Sequence, residues 1–345
     1  MEGPLRNGTA PKIVVIGGGT GISNLLRGLK RHPVDLTAIV TMFDSGGSSG
    51  LLRKEFGYPP FGDLRQCLLA LADESLETRA LREAFQFRFK RDSSLNGHSI
   101  GNLILAALTT LGSDLGYAVQ EISALLRVTG RVVPIALEPA DLCAELEGGQ
   151  VIRGESDIDL RSTPLPRIRR VFLEPEVEAN PVALQRIAEA DAIVLGPGDL
   201  YTSVIPNLLA RHVAEAIASS KATKIYVCNL MTKLGETDGF KASDFVREML
   251  TYLRAPALDW AIINTRLPSP SALEAYQREG AYPVEPDLEQ VARYVSSILT
   301  AELASDELPL RHDAQRTAAA ILEITYASPV AHPSPWPAIS NLPCG

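Results

Sequence analysis

Short apolar runs alternate with amphipathic stretches over most of the chain. Residues 12–16 and 36–43 are two such runs, and between them the apolar positions of residues 22–29 recur at helical spacing. Nearly continuous apolar strands that alternate with helices are typical of a parallel sheet covered on both faces. Because crossovers between parallel strands are right-handed, the pattern predicts a Rossmann-like, doubly wound α/β fold with a mainly parallel sheet.

The same alternation returns in the second half of the chain. Strands are predicted at residues 192–195, 224–229 and 259–264. Helices are predicted at residues 63–90, 99–129, 204–219, 242–254, 288–299 and 314–324. Residues 131–175 contain short β runs separated by polar turns, which predict a small β-rich insertion.

One domain accounts for this pattern, since the sequence shows no internal repeat and no long linker. We expect that domain to span residues 12–326 and to contain the insertion. A short polar lead, residues 1–11, and a proline-rich tail, residues 327–345, are predicted to be disordered.

Composition and charge exclude several classes of partner. The formal net charge is −8, from 33 basic and 41 acidic residues. DNA-binding and RNA-binding domains carry a clustered basic excess, so we expect no nucleic-acid partner.

The four cysteines have no C-x-x-C spacing and predict reduced thiols, not a zinc site. No signal-type apolar region and no apolar run of about 20 residues is present, which predicts a cytoplasmic protein without a membrane span.

Three glycine-rich loops follow predicted strands, at residues 17–21, 44–50 and 196–203. Ligands of open α/β sheets bind beyond the carboxyl ends of the strands. Backbone N–H groups of such loops, together with a helix N-terminus, bind phosphate. Each loop has an ordinary alternative as a tight turn, a solvated loop or a helix cap. Taken together, the three predict a nucleotide or another phosphorylated ligand.

The first loop matches neither common nucleotide motif. Ile22 stands where the dinucleotide fingerprint has its third glycine, and no Gly-Lys-Ser/Thr follows as in a Walker A loop. Among the other candidates, Asp63 is either a helix cap or a site carboxylate. His98 is a phosphate donor, a general acid or a structural histidine at a helix start. No nucleophile elbow or serine triad is recognisable, so acyl transfer has little support.

Taken in order, these motifs resemble the CofD-like family and, within it, the YvcK-type branch known as gluconeogenesis factors. The resemblance spans about residues 12–325 and is carried by segments 17–21, 44–53, 62–68, 97–103, 196–207, 229–240 and 311–313. It implies a Rossmann-like core that binds nucleotide diphosphate compounds at the glycine loops. YvcK-type members bind UDP-sugars, UDP-N-acetylglucosamine in particular, and act on carbon use, cell shape and wall synthesis. The sister branch consists of magnesium-dependent 2-phospho-L-lactate transferases, which act on a deazaflavin acceptor in coenzyme F420 synthesis.

Two departures from the transferase pattern favour the YvcK-type branch. The family commonly has two adjacent acidic residues where this chain has Asp44 and Ser45, and the transferases have a second aspartate where this chain has Arg65. Fewer carboxylates weaken a Mg²⁺ site for phosphoryl transfer, whereas an arginine pairs with phosphate directly. Asp44 and Asp63 remain the candidate metal ligands. The candidate catalytic residues are Asp44, Asp63 and His98. The resemblance also implies a tyrosine and an arginine on the nucleotide-sugar, for which Tyr276 or Tyr282 and Arg311 are the matching positions.

The preferred hypothesis is therefore a non-catalytic, nucleotide-sugar-binding regulator that acts in the cytoplasm; the rival is the transferase. We expect a homo-oligomer, with a cell-wall or metabolic protein as a further candidate partner. The predicted ligand contacts are Gly18, Gly19, Thr20, Gly21, Asp44, Gly46, Gly47, Ser48, Ser49, Arg53, Asp63, Arg65, His98, Asn102, Gly196, Gly198, Asp199, Thr202, Ser203, Asn229, Tyr276 and Arg311.

Overall fold

The strands of the computed structural model follow the alternation that the sequence predicts. The structure describes residues 10–90, 95–112, 114–161, 166–305 and 308–327. The strands in these ranges are β1 (Lys12–Gly17), β2 (Asp35–Val40), β3 (Arg131–Pro134), β4 (Asp141–Leu146), β5 (Val151–Arg153), β6 (Ile168–Glu174), β7 (Ala192–Leu195), β8 (Thr223–Val227), β9 (Leu258–Asn264) and β10 (Val295–Ala301). Most of the predicted lead and nearly all of the predicted tail lie outside the described residues.

Helices connect the strands. They are α1 (Gly19–Leu29), α2 (Gly47–Phe56), α3 (Gly62–Leu71), α4 (Leu76–Gln86), α5 (Ile100–Gly112), α6 (Leu115–Leu125), α7 (Glu155–Asp159), α8 (Pro181–Glu189), α9 (Ile205–Leu209), α10 (Val213–Ser219), α11 (Ala242–Leu253), α12 (Pro270–Arg278), α13 (Leu288–Val291) and α14 (Ala314–Tyr326). A π-helical turn, Leu200–Val204, leads into α9. No helix in the described ranges is both long enough and apolar enough to cross a membrane.

The large sheet contains seven strands in the order β10-β9-β8-β7-β1-β2-β3, and every pair in it is parallel. β1 is an interior strand next to the central strand β7, and Ile16 pairs with Ile39 of β2 on one side and with Leu195 of β7 on the other. The residues of β1 from Ile13 to Ile16 are buried, as expected for a strand covered on both faces. The order of connection reverses between β1 and β7, and such a reversal opens a crevice where ligands bind.

Two groups of helices flank this sheet. Helices α1, α3 and α14 form one group, in which α1 packs on both others. Helices α8 to α11 and α13 form a second group, linked through α10 and α11. Both groups contact β1. The predicted doubly wound α/β fold is therefore confirmed.

A smaller antiparallel sheet, in the order β5-β4-β6, carries the short helix α7. It corresponds to most of the predicted β-rich insertion, but the first β run of that segment, β3, is an edge strand of the large sheet. The small sheet is anchored to α11 by a hydrogen bond from the backbone N–H of Val171 to the Tyr252 hydroxyl, at 2.8 Å. The short helix α7 also contacts the π-helical turn that follows β7.

One predicted helix is wrong. Residues 288–299 form only the single turn α13, and the chain then continues as the edge strand β10, which pairs with β9 from Val295 to Ala301. The apolar positions of this segment fit a helical period. However, its polar alternate positions and its β-branched residues also suit an edge strand with one partner, and the pairing with β9 decides between the two.

Candidate functional site

A cavity of about 800 Å³ opens at the reversal point between β1 and β7. Its volume is in the range of small-molecule sites. The loops after β1 and β7 line it, together with α7 and with residues 229–234 and 309–312. The cavity therefore lies where the topology of an open α/β sheet places a ligand.

The loop after β1 brings the N-terminus of α1 to the cavity floor. A Cβ atom on Gly18 would overlap the Asp63 carboxylate, and one on Gly21 would overlap the Pro197 carbonyl oxygen of the loop after β7. Only glycine at positions 18 and 21 therefore lets the two loops and Asp63 approach each other this closely. The residue before α1 is Gly18, which has no side chain to cap the helix, and the first turn of α1 contains no acidic residue. The N–H groups of this turn favour an anion.

Asp44, Asp63 and Glu155 form a group of carboxylates on the cavity wall. Burial raises the pKa of Asp63 to about 7, and the neighbouring charge of Asp44 raises it as well. A hydrogen bond from the backbone N–H of Gly19 acts in the opposite direction and lowers it. Burial likewise raises the pKa of Glu155, and Asp44 is the next cause. Like charges gathered near a predicted phosphate site are the chemical setting in which proteins hold a divalent cation.

Glu155 reaches this group from the small sheet. Its carboxylate accepts a hydrogen bond from the backbone N–H of Ser45 at 3.4 Å, and the Ser45 hydroxyl accepts one from the backbone N–H of Ser156 at 2.9 Å. The start of α7 is thereby joined to the loop of residues 44–50. A carboxylate therefore lies next to position 45, although Ser45 itself is not acidic.

Lys233 forms the centre of a second charged cluster. Its ammonium group pairs with Asp159 at the end of α7, with Asp199 at 2.7 Å and with Glu236 at 3.3 Å. Burial alone would lower the pKa of Lys233, but the three carboxylates raise it. Burial also raises the pKa of Glu236 in spite of the nearby ammonium. One lysine therefore connects α7, the loop after β7 and the segment after β8.

The loop after β7 turns at Gly196 and continues through Pro197 to Asp199, which precedes the π-helical turn. The Asn229 side chain donates a hydrogen bond to the Gly198 carbonyl at 2.8 Å. Thr202 and Ser203 of the π-helical turn line the cavity. Turns of this type occur often at functional sites.

Residues 309–312 and Tyr276 of α12 line the cavity side by side. The Tyr276 hydroxyl accepts a hydrogen bond from the backbone N–H of Leu310 at 2.8 Å. Arg311 lies exposed at the cavity edge. Of the two tyrosines that match the family position, Tyr276 lines the cavity, whereas Tyr282 is not among the residues that line it.

The structure brings most of the predicted residues together. Those that line the cavity are Gly18, Gly19, Thr20, Gly21, Asp44, Asp63, Gly198, Asp199, Thr202, Ser203, Asn229, Tyr276 and Arg311. The remaining predicted residues are outside its lining: Gly46, Gly47, Ser48, Ser49, Arg53, Arg65, His98, Asn102 and Gly196.

Several of these remaining residues bind other parts of the protein. Arg65 donates to the Asn102 side chain at 2.9 Å, and both are buried. His98 Nδ1 and Ser48 Oγ lie 3.2 Å apart, also buried. Arg53 pairs with Asp141 at 2.7 Å. Of these contacts, the one between His98 and Ser48 involves the loop of residues 44–50. Direct contact with a ligand remains a prediction for all of these side chains.

Sequence reasoning missed the side chains that the small sheet and the later segments contribute. Glu155, Asp159, Arg161, Lys233 and His312 all line the cavity. The acidic pair at 155 and 159 has the i, i+4 spacing of an ordinary exposed helix face, so only tertiary structure reveals its position. His312 had a signal, since it lies in the segment 311–313 that carries the resemblance.

Comparison with known proteins identifies the family. The model of the family described as 2-phospho-L-lactate transferase CofD matches residues 13–304. The chain belongs to the CofD family. Among its relatives is the gluconeogenesis factor of Bacillus subtilis, 42% identical over 320 residues that cover 92% of this chain and 99% of the relative. The gluconeogenesis factor of Halalkalibacterium halodurans is 43% identical over 315 residues, which cover 90% and 95%.

A solved structure shares this fold. The crystal structure of a Bacillus halodurans protein matches with a TM-score of 0.86 at 41% identity, covering 91% of this chain and 100% of that one. The prediction of a CofD-like chain with relatives of the gluconeogenesis-factor type is confirmed, and so is the α/β fold.

Proposed function

We propose that this CofD-family chain is a regulatory protein of the cytoplasm that binds a UDP-sugar and acts on carbon metabolism, cell shape and wall synthesis. The observation that supports this proposal best is the convergence of two glycine loops and the N-terminus of α1 with Tyr276 and Arg311 on one cavity. A diphosphate fits the N–H groups of the loops, and Tyr276 and Arg311 fit the nucleoside or the sugar. The relatives named gluconeogenesis factors agree with a role in carbon metabolism.

The net charge of −8 means that the overall field of the protein repels an anionic ligand. Binding therefore depends on local groups. The cations on the cavity wall are Arg161, Lys233 and Arg311, and Lys233 already has three carboxylate partners. The glycine-loop N–H groups, Arg161 and Arg311 are thus the main attraction for a diphosphate in this proposal.

Isothermal titration calorimetry with UDP-N-acetylglucosamine tests the proposal directly. We expect binding to the wild-type protein and none to Gly19→Val, because a side chain at position 19 would project between Asp63 and Ser203. Arg311→Ala should weaken binding at least tenfold, the loss typical of a charged hydrogen bond. Arg293→Ala, which removes an exposed arginine outside the cavity lining, is the matched control. Wild-type protein that releases no heat with millimolar ligand would reject the proposal.

The second candidate is a Mg²⁺-dependent 2-phospho-L-lactate transferase. The three carboxylates of Asp44, Asp63 and Glu155 favour it, as does the description of the matching family model. Asp44 and Asp63 would then hold Mg²⁺, which neutralises charge that develops on a transferred phosphoryl-type group. Turnover of a guanylyl-activated phospholactate with a deazaflavin acceptor, lost in Asp63→Asn, would establish this function over the regulatory one.

Native mass spectrometry of freshly purified protein bears on two further parts of the proposal. A retained adduct with the mass of a nucleotide-sugar would support the ligand. A mass of two or more whole chains would support the homo-oligomer that we expect, and a monomer at micromolar concentration would contradict it.

A further inference from the structure

His312 lines the cavity and hydrogen-bonds to the end of β8 behind it. Its Nε2 atom lies 3.0 Å from the Cys228 carbonyl oxygen. A carbonyl oxygen accepts hydrogen bonds and donates none. The proton of the ring must therefore be on Nε2, which fixes the tautomer.

The other ring nitrogen is then free of a proton as long as the ring is neutral. Burial lowers the pKa of His312 to about 4, against a smaller opposing effect of the Cys228 carbonyl. At neutral pH Nδ1 thus carries a lone pair and is a hydrogen-bond acceptor. Within the described ranges, Nδ1 has no hydrogen-bond partner in the protein.

The ring is held by its bond to Cys228, and the backbone that carries it is anchored as well. The Asn24 side chain of α1 donates to the His312 carbonyl at 2.5 Å, and the next residue, Asp313, donates its N–H to the Leu303 carbonyl at 2.6 Å. Asp313 also caps α14. A ring held in this way loses little conformational entropy when a ligand binds.

A donor lies on the same wall. Because the Tyr276 hydroxyl oxygen accepts from the Leu310 N–H, its own proton remains available to an acceptor on a ligand. Tyr276 and His312 therefore present a donor and an acceptor from one wall of the cavity. This combination suits a ligand with a donor beside an acceptor, such as an imide N–H next to a carbonyl or a hydroxyl next to an ether oxygen.

We propose that His312 determines ligand specificity: its Nδ1 atom accepts a hydrogen bond from a neutral N–H or O–H group of the bound nucleotide compound. This inference rests on the proposed nucleotide function. A ligand that presents a lone pair or a methyl group at that point is disfavoured, because the Nδ1 lone pair then loses its water without gaining a partner.

Two variants separate the structural bond from the ligand bond. In His312→Gln the amide N–H₂ can still donate to Cys228, but no acceptor replaces Nδ1. In His312→Asn the side-chain oxygen can replace Nδ1 while the bond to Cys228 is lost. We expect His312→Gln to keep the wild-type midpoint of thermal unfolding and to bind UDP-N-acetylglucosamine about tenfold more weakly. His312→Asn should bind more tightly than His312→Gln in spite of a lower midpoint.

Two ligand analogues identify the group that is read. 3-Methyl-UDP lacks the imide N–H of the base, and 2′-deoxy-UDP lacks a ribose hydroxyl. The analogue without the relevant donor should bind wild-type protein about tenfold more weakly than UDP and should show no such difference with His312→Gln, as a double-mutant cycle requires. A third cycle compares UDP-N-acetylglucosamine with UDP. If only this cycle shows coupling to His312, the group that donates to Nδ1 is on the sugar. Additive losses in every cycle would overturn the inference.

The tautomer is measured independently of any ligand. A long-range ¹H–¹⁵N spectrum of the histidine rings at pH 7, with His312 assigned by its absence in His312→Gln, should show a protonated Nε2 and an unprotonated Nδ1. The Nδ1 resonance should shift when UDP-N-acetylglucosamine saturates the protein. A protonated Nδ1 in the free protein, or an unchanged resonance while calorimetry shows binding, would overturn the inference and leave the proposed function intact. Absence of nucleotide binding would overturn the proposed function, and the ligand bond with it.

Discussion

The backbone N–H of Ser45 donates a hydrogen bond to Oε2 of Glu155, 110 positions later in the chain, at 3.4 Å. This contact joins the small antiparallel sheet to the loop of residues 44–50 and places a third carboxylate beside Asp44 and Asp63. Burial and mutual repulsion raise the pKa values of Glu155 and Asp63. The wall of the cavity is therefore electrostatically unfavourable until a proton or a cation neutralises it.

Glu155→Gln tests whether a divalent cation fills that role. At pH 8 we expect Mg²⁺ to raise the midpoint of thermal unfolding of the wild-type protein, because a cation that binds only the native state stabilises it. The increase should be smaller in Glu155→Gln. Asp157→Asn is the matched control, since Asp157 is an exposed carboxylate on the same helix α7, and it should keep the full response. Equal responses in all three proteins would argue against a cation held by Glu155.

The raised pKa of Asp63 predicts that the free energy of unfolding decreases as the pH rises. The pKa is raised from 3.8 to about 7 in the native protein, so between these values the native state binds more protons than the unfolded chain. The free energy of unfolding must then decrease as the pH rises through this window. A shift of this size corresponds to an upper limit of about 4 kcal/mol.

Urea denaturation of Asp63→Asn at two pH values measures this contribution. At pH 8 the variant should be more stable than the wild-type protein, and the difference should shrink at pH 5, where the wild-type carboxyl group is mostly protonated. Glu323→Gln, which neutralises an exposed carboxylate of α14, should leave the pH dependence unchanged. A variant that is less stable than wild type at both pH values would contradict the assigned pKa.

Gly21→Ala tests the close approach of the two glycine loops. The added Cβ would overlap the Pro197 carbonyl oxygen, and overpacking of this kind costs about 1–3 kcal/mol. Alanine favours a helix over glycine by about 1 kcal/mol, so a lower midpoint of thermal unfolding would show that the contact outweighs propensity. In Gly116→Ala of α6 the new Cβ meets only the tip of the Asp114 side chain, at 3.1 Å; this control should be neutral or stabilising.

The parts of the fold that sequence reasoning predicts are those with a local signal. β1 and β7 are short apolar runs that end in glycine turns, and the structure places both in the interior of the sheet. The wrong helix at residues 288–299 shows the limit of such reasoning. β10 is an edge strand that pairs only with β9, so its pattern lacks the continuous apolar run that identifies a central strand.

The candidate site divides in the same way. Its floor follows from the glycine loops, because their composition and their position after strands are visible in the sequence. Its walls do not, since Glu155 and Asp159 reach the cavity only through the packing of a separate sheet. Lys233 lies in segment 229–240, which carries the family resemblance, but its pairing with three carboxylates is visible only in the structure. A charged side chain at a tertiary contact carries no periodic signal.

We expect Lys233→Met to be the most destabilising of these variants. Removal of the ammonium group leaves Asp159, Asp199 and the buried Glu236 without their shared partner, which should lower the free energy of unfolding by at least about 2 kcal/mol. Adding Glu236→Gln to this variant should recover part of the loss, because one uncompensated carboxylate is then removed. Lys241→Met breaks an exposed pair with Glu285 and should have little effect. Urea denaturation of the single and double variants gives the coupling energy, and strictly additive effects would show that Lys233 and Glu236 do not act as a pair.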